Sequence, residues 1–165
     1  MLGGIRSGKS HWAEQQLAGQ QVGYVATGTT DFDDDFAARV AAHRERRPAH
    51  WTTAETSDVA TYLDGHSGAT LVDDIGGWLV AALDRCGAWS GGSIEHETER
   101  LVGAVGDFTD DLMLVTPEVG LTVVPATASG RRFADELGTL NQQLAAVCGR
   151  VVLVVAGQPL MIKEF

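Results

Sequence analysis

At 165 residues the chain has the length of one ordinary domain and is long enough to bury a sizeable core. Its 44% hydrophobic and 21% charged content is normal for a globular protein, and a formal net charge of −10 excludes a nucleic-acid-binding surface, which needs a basic footprint. Cys86 and Cys148 have neither metal-ligand spacing nor a disulfide pattern. No basic start leads into an apolar signal-like run, and no apolar stretch approaches the roughly 18 residues of a membrane span. The expectation is a cytoplasmic protein.

In chain order, the first feature is the glycine-rich run Gly3-Gly4-Ile5-Arg6-Ser7-Gly8-Lys9-Ser10, with residues 8–18 reading as a helix that opens directly from it. Such a loop normally follows a buried strand, whereas only Met1 and Leu2 precede Gly3. The first strand is therefore expected to be truncated, leaving its neighbours exposed. Val22–Ala26 reads as a short buried strand, and residues 34–46 as a helix with Phe36, Val40 and His43 on one stripe, ended by Arg47-Pro48. Residues 69–75 form a second apolar strand ending in acids, followed by a helix over 77–86, a glycine-rich loop over 87–94 and a helix over 95–107. A strand over 112–116, a helix over 133–148 and a strand over 151–156 complete the pattern. Strands alternating with helices predict an α/β fold, a mostly parallel sheet with helices on both faces, in a single domain over residues 1–165.

The glycine-rich run is a complete phosphate-binding loop, which places the fold with the P-loop NTPases of RecA-like type. Its glycines let successive N–H groups turn toward an anion, and the following helix points its positive end at the same spot. Lys9 supplies charge for the β- and γ-phosphates, and the Ser10 hydroxyl can ligate Mg2+. Only two lysines occur in the chain, Lys9 and Lys163, so the match is not one drawn from a lysine-rich background. Asp73 and Asp74 end an apolar strand, where a carboxylate would hold Mg2+; the other reading is an N-cap for the next helix. Asp73 is the preferred magnesium residue.

The segment His43-Arg44-Glu45-Arg46-Arg47-Pro48-Ala49-His50-Trp51 concentrates arginines and histidines in an acidic chain. Guanidinium groups suit phosphate oxygens, and a histidine among them could be a nucleophile or proton carrier. A solvated helix end, where cations complement the dipole, fits the spacing equally well. His11, His66 and His96 have no ligand-spaced partner, and the four tryptophans read as core or pocket wall.

Taken in order, GGIRSGKS, YVAT, DDDFAARVAAHRERRPAHW with TAE after it, LVDD, LVTPEVG, VVP and GRRFADELGTLNQQLA resemble the bifunctional adenosylcobinamide kinase / adenosylcobinamide-phosphate guanylyltransferase family. The resemblance runs through nearly the whole chain, and its most specific part is His-Arg-x-x-Arg-Pro-x-x-Trp. It implies two reactions, phosphorylation of adenosylcobinamide by ATP or GTP, then transfer of GMP from GTP to the cobinamide phosphate through a histidine. His43 matches the guanylylated histidine. Gly3 through Ser10, Thr27, Gly28, Arg44, Arg46, Arg47, Glu55 and Asp73 match nucleotide-binding positions, with Ser10 and Asp73 at the metal. The resemblance also implies a homotrimer. Ala81 and Pro117 stand where many relatives carry asparagines, and Ala42 where some carry a second histidine.

Three other readings use the same residues. A plain small-molecule kinase would need only the loop, a magnesium acid and arginines. Asp73-x-x-Gly76 has the spacing of a GTPase switch, but such proteins read guanine with Asn-Lys-x-Asp, and the only asparagine is Asn141, followed by Gln142. A degenerate, inactive scaffold is the third.

Overall fold

The computed structural model describes residues 1–28 and 48–165. The helix expected over 34–46 lies outside the described residues. Seven strands, β1 Leu2–Gly3, β2 Gly23–Ala26, β3 Thr52–Glu55, β4 Thr70–Asp73, β5 Leu112–Pro117, β6 Arg150–Val155 and β7 Gln158–Glu164, form one sheet in the order β3-β2-β4-β5-β1-β6-β7. Every pairing is parallel except β6 with β7. The helices are α1 Lys9–Leu17, α2 Val59–Asp64, α3 Ile75–Arg85, α4 Glu95–Asp107 and α5 Ala128–Val147.

Alternation along the strands divides the core into two layers. Tyr24, Leu71 and Val115 face α1, where they pack with Ala13, Leu17, Val22 and Trp51. Val25, Val72 and Leu114, one residue further on in β2 and β4 and one residue earlier in β5, face the opposite way into a larger layer built from α2, α3, α4 and α5. The longer helices of that layer present apolar stripes at helical spacing, such as Leu137, Leu140 and Leu144 on α5.

Several boundaries differ from expectation for identifiable reasons. Helix α3 starts at Ile75 rather than 77, because Asp74 caps it by accepting from the Gly77 amide at 3.1 Å. Helix α5 starts five residues early, where Thr127 accepts from the Gly130 amide at 3.1 Å, although its first turns carry no apolar stripe. Strand β3 and helix α2 are additions to the expected pattern. So is β7, which folds back on β6 through the turn Ala156-Gly157, both residues having positive φ (51° and 74°) as a two-residue hairpin turn requires.

The first strand is short, as expected, yet it joins both neighbours. Leu2 pairs with Thr116 of β5 and with Leu153 of β6. Ladder bonds run from the Thr116 amide to the Met1 carbonyl (2.9 Å) and from the Glu118 amide to the Gly3 carbonyl (3.0 Å). Pro117 lies between these two donors, so its missing N–H costs this ladder nothing. A cavity of about 610 Å³ is lined among others by Met1, Leu112, Leu114, Arg150 and Val152. Among the described residues no helix is long and apolar enough to cross a membrane.

Candidate active site

In a parallel sheet the strand ends on one edge all point the same way, and sites gather at the carboxyl edge. Register brings Glu55, Ala26, Asp73 and Val115 into one row across β3, β2, β4 and β5, with β1 delivering Gly3 and Gly4 beyond it. Strands are about 4.8 Å apart, so exposed Glu55 sits roughly 10 Å from Asp73 along this row.

The glycine-rich run leaves β1 as a tight loop closed by the Ser7 amide on the Gly4 carbonyl at 3.2 Å. Arg6 at its exposed tip has φ 57°, and Gly8 has φ 91° at the N-cap of α1. No side chain caps that helix, so its first amides and its positive end face the loop. The Lys9 ammonium donates to the Gly4 carbonyl at 3.3 Å, folding the cation back over the loop. Support comes from the unexpected hairpin, whose Gly157 amide donates to the Ser7 carbonyl at 2.8 Å. The approach is close: a Cβ on Gly8 would lie 3.1 Å from the Gly157 Cα.

The two adjacent acids sit in different surroundings. The Ser10 hydroxyl donates to Asp73 Oδ1 at 3.4 Å, and the Tyr24 hydroxyl to Asp73 Oδ2 at 2.6 Å. A hydroxyl and a carboxylate thus converge at the start of α1, a hard-oxygen pair that suits Mg2+ when completed by phosphate oxygens and water. Among the described residues no group of three or more His, Cys, Asp or Glu could hold a metal by itself. Asp74 is instead the α3 cap. Burial, and then the charge of Asp73, push its carboxyl above the usual range, against the amides of Gly77 and Gly76 and the Lys9 ammonium.

Around this centre the edge is clamped. Thr27 is buried; its amide donates to the Asp73 carbonyl (3.1 Å) and its hydroxyl accepts from the Asp74 amide (3.0 Å). Gly28 lies against Gly77, where an added Cβ would meet its Cα at 3.1 Å. Gly76, the glycine of the supposed switch motif, is buried in the first turn of α3 against the Pro117 ring. Asn141 of α5 accepts from the Thr116 hydroxyl at 2.7 Å and donates to the Pro117 carbonyl at 3.1 Å, tying helix to strand end.

His43, Arg44, Arg46 and Arg47 lie outside the described residues. The end of their segment is docked in the core: Trp51 is buried, its indole N–H donates to the Gln20 carbonyl at 3.2 Å, and its ring lies 6.3 Å from that of Tyr24. The sequence reading did not single out Tyr24, Gly157 or Thr116. Each acts through a neighbour remote in sequence.

A mostly parallel α/β sheet whose glycine-rich loop opens a helix beside an acid-tipped strand defines a P-loop nucleotide-binding protein. Residues 1–162 match the family described as cobinamide kinase / cobinamide phosphate guanyltransferase, and the chain belongs to that family. Among its relatives are the bifunctional adenosylcobalamin biosynthesis protein CobP of Pseudomonas aeruginosa, 40% identical over 99% of this chain and 95% of the relative. The bifunctional adenosylcobalamin biosynthesis proteins CobU of Salmonella typhimurium and Escherichia coli are 36% and 35% identical, each over 99% of this chain and 98% of the relative.

Proposed function

We propose that this chain phosphorylates adenosylcobinamide with ATP or GTP and then attaches GMP from GTP to the product, giving adenosyl-GDP-cobinamide. The observation that carries the proposal is the family match across residues 1–162, a span that includes both the phosphate loop and the His43–Trp51 segment. The plain kinase reading uses the loop, a magnesium acid and arginines, and leaves His43 without a task.

For the kinase step, the loop amides and Lys9 bind the donor's phosphates, and Ser10 and Asp73 hold Mg2+, which neutralises phosphate charge when bound. Gly3 through Ser10, Thr27, Gly28, Glu55 and the three arginines Arg44, Arg46 and Arg47 form the nucleotide site in this reading. In the second reaction a neutral His43 nitrogen attacks the α-phosphorus of GTP, the new N–P bond forms, and pyrophosphate leaves. A phosphate oxygen of the cobinamide phosphate then attacks the same phosphorus, the N–P bond breaks, and His43 is released unchanged. The arginines stabilise the charged oxygens in both transfers.

One domain carries both reactions, in the cytoplasm, where nucleoside triphosphates and Mg2+ are supplied. We propose a homotrimer as well. Exposed apolar side chains support assembly: Leu121, Val123 and Val124 beside the carboxyl edge, and Leu160 and Ile162 on β7.

Incubation with α-labelled GTP tests the histidine step. The expected result is acid-labile, alkali-stable label that disappears in His43→Ala, while γ-phosphoryl transfer to cobinamide continues. Label that persists in His43→Ala would overturn the assignment.

A further inference from the structure

We propose that the Tyr24 hydroxyl is the positioning group for the Asp73 carboxylate, deciding which of its oxygens faces Ser10 and the cation. This inference rests on the reading of Asp73 as the magnesium carboxylate.

Register explains how the contact arises. Tyr24 pairs with Leu71, and alternate residues of a strand share a face, so Asp73 is the diagonal neighbour of Tyr24 across β2 and β4. Such diagonal separations are within reach of a long aromatic side chain. The phenol delivers its proton to Oδ2 at 2.6 Å, the length of a charge-assisted O–H···O⁻ bond. The other oxygen, Oδ1, is then turned to the Ser10 hydroxyl at 3.4 Å, at the start of α1. A carboxylate torsion is broad when nothing restrains it, so a fixed donor on one oxygen also aims the other.

The tyrosine can serve as a fixed donor because its ring is buried and packed on several sides. It is 1% exposed, within the apolar layer formed with Ala13, Leu17, Leu71 and Val115, and braced by Trp51. Trp51 closes the segment that carries His43. The same two rings therefore anchor the end of the proposed guanylyl-transfer segment and orient the proposed metal carboxylate.

A blander account is that a buried phenol has simply found an acceptor. Tyr24→Phe separates the two, since it keeps the packing and removes only the donor. Binding of a fluorescent GTP analogue would be titrated with Mg2+, starting from EDTA, for wild type, Tyr24→Phe, Asp73→Asn and the double variant. The expected result for Tyr24→Phe is unchanged binding in EDTA and a Mg2+ requirement raised by about 10- to 100-fold, the usual cost of losing a partner of a metal ligand. Asp73→Asn should abolish the Mg2+ enhancement, and Tyr24→Phe should add nothing on that background. Equal weakening with and without Mg2+, or a wild-type Mg2+ titration, in Tyr24→Phe would overturn the proposal while leaving Asp73 in place. A wild-type titration in Asp73→Asn would instead overturn the metal reading itself.

Should Tyr24→Phe not fold, the wild-type protein with ring-labelled tyrosine decides. The chain has only two tyrosines, Tyr24 and Tyr62, so the Tyr24 resonance is readily assigned. It should shift on adding Mg2+ and GTP analogue beyond the shift caused by the analogue alone. A resonance indifferent to Mg2+ would overturn the proposal.

Discussion

Asp73 and Asp74 are the same residue type in adjacent positions, and their environments set them apart. One meets two hydroxyls at the sheet edge, while the other turns back to cap α3. The sequence offered both roles to the pair, and the two hydroxyls lie against Asp73. Gly8 shows a second single-residue constraint, because its φ of 91° and its approach to Gly157 both exclude a side chain. Gly8→Ala is expected to destabilise the fold by about 1–2 kcal/mol, the cost of a side chain in the left-handed region, and to weaken nucleotide binding about tenfold or more. Gly19→Ala, at a glycine with open space around it, is the control and should change neither. Urea denaturation and nucleotide titration on the two variants check this.

Elements with a strong apolar period were legible from sequence. Helix α4 spans Glu95–Asp107, matching the expected 95–107, because Thr98, Leu101 and Val105 mark one buried stripe. Short elements were not. Helix α2 has six residues, too few for a period, and its start is set by Asp58 accepting from the Thr61 amide at 3.3 Å. Burial pushes the Asp58 carboxyl up, but hydrogen bonds from Thr61 and the Arg100 guanidinium outweigh this and hold it below its ordinary value. A carboxyl depressed in the folded state stabilises above its unfolded value and loses that contribution as pH falls through its folded value. Asp58→Ala should therefore cost about 1 kcal/mol at neutral pH, and the gap to wild type should close below about pH 4. Chemical denaturation of both proteins across that range measures it. The hairpin of β6 and β7 was missed for a different reason: its turn has Ala156 before Gly157, where such a turn usually advertises itself with Asn or Asp before the glycine.

At the scale of the molecule, stability and site are carried by the same sheet but by different faces and edges. Leu79 of α3 is wholly buried in the larger layer, away from the α1 face. Leu79→Ala should cost about 2–5 kcal/mol and lower the thermal midpoint, yet leave the Mg2+ dependence of nucleotide binding as in wild type. Calorimetry alongside the Mg2+ titration distinguishes the two effects.

The sequence by itself determined the fold class, the phosphate loop and the family, because a glycine-rich turn, a helix period and a set of contiguous motifs are local patterns. Tertiary structure alone decided which acid faces Ser10, that the β6–β7 turn props the loop, that Asn141 ties down the end of β5, and that Tyr24 meets Asp73. Those contacts join residues from 24 to more than 100 positions apart. Strand order and register create them, and neither is written in any one segment of the chain.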